Sequence, residues 1–197
     1  MHQPEEQSER RSRMRWIALL EAGLALLGAG LAWLMGVPLL GMLSPTEGWA
    51  WAIGRGLLAA LPLVALLALA RQASWGPIAR FRRQVKRILR AAFPRARVGE
   101  LLLVSLAAGI GEEVLFRGVL QYLLIQWLGV WPGLGLASLA FGLVHPISVA
   151  YVAVATFGGA YFGWLAVCSP DHEIVSAITA HAAYDFVALM LLTRREA

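Results

Sequence analysis

The chain has little sulfur and no repetition. Its one cysteine, Cys168, excludes an internal disulfide and a cysteine-built metal site. No internal repeat or low-complexity tract is present, which argues against a transporter assembled from two similar halves. The helix signature of standard zinc proteases, H-E-x-x-H, is missing. The N-terminus does not read as a cleaved signal peptide, because the apolar run from Trp16 is too long and continues as a span.

What the chain does have is apolar surface. Hydrophobic residues make up 59% of the 197 positions, with a mean hydropathy of +0.66, above the roughly 50% of a soluble domain. They come in runs long enough to cross a bilayer. The pattern predicts an all-α, polytopic membrane bundle of about six transmembrane helices. The expected spans are 16–43 (interrupted near Pro38), 49–70, 98–128, 134–145, 147–168 and 174–192. Turns fall at 44–48, 129–133 and 168–173. In domain terms, 1–15 is a polar tail, 16–97 is a hairpin with a basic connection, and 98–192 is the core that carries the chemistry.

The net charge of +5 is concentrated. Arg10, Arg11, Arg13 and Arg15 precede the first span, nine basic residues fill 71–97, and Arg194 and Arg195 close the chain. The outer turns carry no Lys or Arg, so six crossings put both termini and every basic cluster on the cytoplasmic side. Anionic lipid headgroups are the expected partner of this charge, not nucleic acid. Within 71–97, Ile78, Phe81, Val85, Ile88, Leu89, Ala92 and Phe93 recur at helical intervals. This predicts an amphipathic helix on the membrane surface.

Ionisable residues within the spans are costly and face the protein interior or a wet cavity. On helix three, Glu113 and Arg117 are four apart with the acid first, the favoured order for a neutralising pair. Glu112 points about 100° away. Lacking a cation at that spacing, it is suited to taking and returning a proton. His145 follows Phe141 by four on helix four, and Asp185 follows His181 by four on helix six. Three helices thus offer a free Glu, two His and an Asp. These groups can converge on a water, bind a metal such as zinc, or form a structural polar network.

E-E-x-x-x-R (Glu112, Glu113, Arg117), F-x-x-x-H (Phe141, His145) and H-x-x-x-D (His181, Asp185) resemble the three motifs of the CPBP intramembrane proteases. This is the CAAX-processing and bacteriocin-processing family, also called Abi. The wording EEVLFRG, FGLVH and HAAYDF is similar to its usual forms, and the resemblance covers about 98–190. It implies a glutamic-type endopeptidase without a cofactor. Glu112 and His145 would activate water, His181 and residue 185 would line the oxyanion site, and Glu113, Arg117 and Phe141 would support them. Position 185 is often Asn in that family. Here it is Asp, which cannot donate to an oxyanion when ionised.

The resemblance implies a membrane-embedded protein or peptide substrate and a bacterial inner-membrane location. Counting residues from the span ends places Glu112 and His181 nearer the outer face and His145 nearer the cytoplasmic one. The depth leans toward an outward opening and a role in protein sorting or maturation. A non-catalytic immunity scaffold on the same fold and a zinc-dependent version of the protease are the alternatives. Elsewhere, Arg55 is expected near an interface or paired with Glu21, Glu100 at the membrane surface, and His172 in a solvated turn. The eight tryptophans are expected in an interfacial belt.

Overall fold

The structure is a computed structural model that describes the backbone of residues 3–194 and the side chains of 12–194. His2, Arg195 and the side chains of Arg10 and Arg11 lie outside the described residues. Among those described there is no strand. Helix α1, Gln3–Met35, already contains most of the polar segment expected as a tail. It stops at Gly36, whose φ of +67° suits a residue without Cβ. Pro38 then opens a single turn, α2 Leu39–Met42, so the predicted interruption of the first span is a real break.

Helices α3 (Trp49–Gln72) and α4 (Gly76–Ala92) follow. The predicted amphipathic helix is α4. It exposes Arg80, Arg83 and Arg87 on one side. Leu89 and Ala92, with Phe93 just beyond, pack against Met14 of α1, Leu101 and Leu189. Arg82 Nη1 donates to the carbonyls of Ala70 and Arg71, which fastens α4 to the end of α3.

The third predicted span is one continuous helix in three parts: α5 Val98–Glu113, a π-helical segment Val114–Gln121, and α6 Tyr122–Leu128. Glu100 sits in its first turn, where it accepts from the Arg97 N–H at 2.8 Å. Gly129, at φ +86°, alone makes the corner. Helix α7, Val130–Leu143, restarts at the next residue, so the turn expected over 129–133 shrinks to one glycine. Pro132 sits in the first turn of α7, where no intrahelical N–H is required. Helices α8 (Val149–Cys168) and α9 (Val175–Thr193) complete the chain.

By length and composition α1 (over Ser12–Met35), α3, α8 and α9 can each cross a membrane, and α7 is a shorter apolar helix of 14 residues. Large apolar side chains, including Trp16, Trp33, Trp51 and Trp131, stay exposed as lipid-facing residues do. The α9 helix is central and packs on both α3 and α5. Small residues permit this. A Cβ on Gly56 of α3 would lie 2.6 Å from the Ser176 carbonyl, so the two backbones meet directly. The α1 helix packs on α5 and the π segment, and α7 on α8. The N-terminal hairpin and the second half therefore interlock in one bundle.

Candidate active site

The site is built around the π segment. The wider turn lets Arg117 and Gln121, four apart, both reach α8. Arg117 Nη2 donates to the Gly159 carbonyl at 3.0 Å and Gln121 Nε2 to that of Gly163 at 3.0 Å. The α8 glycines are four apart as well, so two rungs join the helices. A Cβ at Gly163 would strike Gln121 Oε1. Wide turns of this kind recur at functional sites.

The other side of Arg117 faces Glu113. Its Nη1 donates to Glu113 Oε1 at 2.9 Å, the i,i+4 pair expected from spacing. Both side chains are buried, at 2% and 0% exposure. The guanidinium lies 4.3 Å over the Phe141 ring, a cation–π contact. Glu113 Oε1 also lies 2.7 Å from His181 Nδ1. A carboxylate accepts, so His181 Nδ1–H donates. Phe162 stacks on the His181 ring at 4.7 Å between centroids. The α9 histidine is thus fixed by a carboxylate at one nitrogen and an aromatic face on one side.

Glu112, one residue earlier, faces the other way. Its Oε1 lies 3.7 Å from His145 Nε2 and its Oε2 3.8 Å from His181 Nε2. His145 Nδ1 lies 2.8 Å from the Phe141 carbonyl, to which it donates, so its Nε2 is the nitrogen turned toward Glu112. Asp185 Oδ2 stands 3.5 Å from His181 Nε2. All four residues proposed from the motifs, Glu112, His145, His181 and Asp185, therefore come together, with Glu113, Arg117 and Phe141 behind them. Among the described residues no three His, Cys, Asp or Glu side chains are arranged to hold a metal ion. The donors a zinc-dependent version would need are these same four, and no step is assigned to a metal.

Sequence reading missed three participants. Phe162 and Gln121 belong to no motif. Glu21 of α1 was paired with Arg55, but Arg55 instead binds Glu47 at 2.8 Å and Ser176 Oγ at 3.1 Å, with Glu173 at 3.8 Å. Glu21 lies against Gly111, the neighbour of Glu112. The only signal that could have found it was an acidic residue in mid-span with no basic residue at helical spacing within that span.

No curated protein and no solved structure matches the chain. A family model described as Type II CAAX prenyl endopeptidase Rce1-like matches residues 94–187. The match begins just ahead of α5 and ends two residues past Asp185, so it holds all three motifs and leaves out α1 to α4. Over residues 94–187 the chain is thus similar to that family, and the match is consistent with the resemblance of its three motifs to the CPBP proteases.

Proposed function

We propose that the protein is an intramembrane endopeptidase in which Glu112, with His145, activates the attacking water. The observation that carries this reading is the Glu112 carboxylate held between two imidazoles from other elements, at 3.7 and 3.8 Å. Each gap is too long for a direct hydrogen bond and short enough for one water to touch both groups. As the water oxygen bonds to the scissile carbonyl carbon, the π pair moves to the carbonyl oxygen. The water's proton passes to Glu112 and then to the amide nitrogen as the C–N bond breaks.

His181 is assigned to the developing oxyanion. Its Nδ1–H is committed to Glu113, so donation from Nε2 requires a ring that carries both protons. Asp185 is assigned to orient that Nε2–H across its 3.5 Å gap, not to donate to the oxyanion. Glu113, Arg117 and Phe141 position His181 and His145.

The family suggests a membrane-associated protein or peptide as substrate. The open edge of the site is assigned to the cytoplasmic side, against the lean drawn from depth. His145 and Asp185 are the exposed members, at 26% and 33% of their side chains, against 13% for Glu112. Gln84 of the basic helix α4 reaches within 3.4 Å of the Ile147 carbonyl, two residues after His145. A small cavity near His172, at the other end, reaches Arg117 and Gln121, and Glu112 does not line it. Both termini are assigned to the cytoplasmic face of a bacterial inner membrane, and the exposed arginines of α4 to anionic headgroups there.

Comparative terminal proteomics of membranes carrying wild type or Glu112→Gln tests the reading. Protein termini present only with wild type would establish the protease, and cuts beside C-terminal anchors would support a role in sorting or maturation. Identical termini, with the variant folded, would reject proteolysis in favour of a non-catalytic scaffold.

A further inference from the structure

Glu21 is a buried carboxyl that the mechanism above leaves unused. It sits in the middle of the first membrane-spanning helix and is 8% exposed. Its Oε2 has no hydrogen-bond partner. A close helix crossing sets the side chain against Gly111, the residue before Glu112. An ideal Cβ on Gly111 would lie 3.2 Å from Glu21 Oε2 and would collide with the Glu21 carbonyl. Seven residues on, a Cβ at Gly28 would lie 2.9 Å from Val114 Cγ1. Two glycines, one on each helix, thus let α1 lie close on the helix that carries Glu112, at Gly111 before it and Val114 after it.

The charged groups that act electrostatically on Glu21 are those of the site. Glu112 on α5, His181 and Asp185 on α9, and His145 after α7 all lie within electrostatic range. Arg117 is held by Glu113 and the Gly159 carbonyl, and Arg55 by Glu47 and Ser176, so each of these cations is engaged elsewhere. Two carboxyls in a water-poor interior do not titrate independently, and a proton on one governs the charge of the other.

We propose that Glu21 is a positioning residue of the Glu112 site, a fourth carboxyl that α1 supplies from outside the Rce1-like segment and that sets how Glu112 holds its proton. The proposal rests on the protease reading for its consequence, though not for its test. On this reading the Rce1-like segment is not a complete site without α1. Glu112 is then one member of a carboxyl pair, not a solitary base.

The test is pH-resolved infrared difference spectroscopy of the full chain in phosphatidylcholine nanodiscs, on wild type, Glu21→Gln, Glu112→Gln and the double variant. The signal lost in Glu112→Gln assigns the Glu112 carboxyl. The expected result is that Glu21→Gln removes its own signal and moves the Glu112 midpoint by about half a pH unit or more. Single-variant differences would then fail to add to the double variant. An unmoved midpoint, or strict additivity, overturns the proposal. If Glu21→Gln does not fold, Glu21→Asp keeps the charge and withdraws it by one methylene from Gly111, and here too an unchanged Glu112 midpoint overturns it. A merely structural role would lower stability without moving that midpoint. Because no turnover is measured, a negative result here leaves the proteomic test of proteolysis standing, and the reverse holds as well.

Discussion

Replacing Glu113 with leucine leaves Arg117 buried without the carboxylate it touches. The guanidinium keeps the Gly159 carbonyl at 3.0 Å and the Phe141 face at 4.3 Å, neither of which carries a negative charge. Breaking a buried ion pair from one side costs about 3–5 kcal/mol. His181 Nδ1–H also loses its acceptor, a further cost of about 1–3 kcal/mol. Against a typical total of about 5–15 kcal/mol, E113L should lose a large share of the protein's stability. The double variant E113L/R117M removes both charges and fills the space with apolar atoms. The His181 penalty and the lost hydrogen bond to the Gly159 carbonyl then remain, but no buried charge is left unpaired, so the double variant should be more stable than E113L by about 2–4 kcal/mol. Equilibrium unfolding with sodium dodecyl sulfate in mixed micelles reads both differences. A double variant no more stable than E113L, or an E113L protein within about 1 kcal/mol of wild type, would refute the argument that the pair is one buried unit.

Gly163→Ala should destabilise by about 1–3 kcal/mol, because its methyl falls on Gln121 Oε1. Gln121→Ala in the same background should return part of that loss in the same unfolding assay. Reversing the exposed charges of α4 with R80E/R83E/R87E should weaken its hold on anionic lipid. At about 1 kcal/mol per basic residue, the loss of the three cations alone corresponds to roughly 100-fold in affinity, and repulsion by the three new carboxylates adds to it. Native mass spectrometry of protein released from phosphatidylglycerol-containing nanodiscs should show fewer retained phosphatidylglycerol molecules, while the melting temperature stays close to wild type.

Local patterns were legible in the sequence. The Glu113–Arg117 pair, the Phe141-to-His145 contact and the shared face of His181 and Asp185 all follow from i,i+4 spacing, and all appear. So does α4 as an amphipathic helix. What escaped notice depends on contacts between distant segments. The i,i+4 order of Glu113 and Arg117 reads the same in an α-helix and across the start of a π segment, so nothing in VLFRGVLQ announced the wider turn. Arg55 found Glu47 and Glu173 beyond the ends of its helix, which freed Glu21 for Gly111. The polar segment before Arg15 looked like a tail because hydropathy says nothing of helix propensity. Residue counting placed His145 low and His181 high, and could not foresee that both come within 3.8 Å of Glu112.

The short helix before His145 also bears on the membrane around it. With 14 residues, α7 rises about 21 Å, well short of the roughly 30 Å hydrocarbon layer. Its neighbour running from Val98 to Leu128 rises about 46 Å, well in excess of it. One flank of the molecule asks the bilayer to thin while the other must lean over to stay covered, and each adjustment carries an elastic cost. The chain therefore has a preferred bilayer thickness, and lipid acyl length becomes a variable that acts on it from outside the site. Thinning beside α7 would also shorten the path from the headgroups to His145, and on the proposed protease reading it would ease the entry of water to the site.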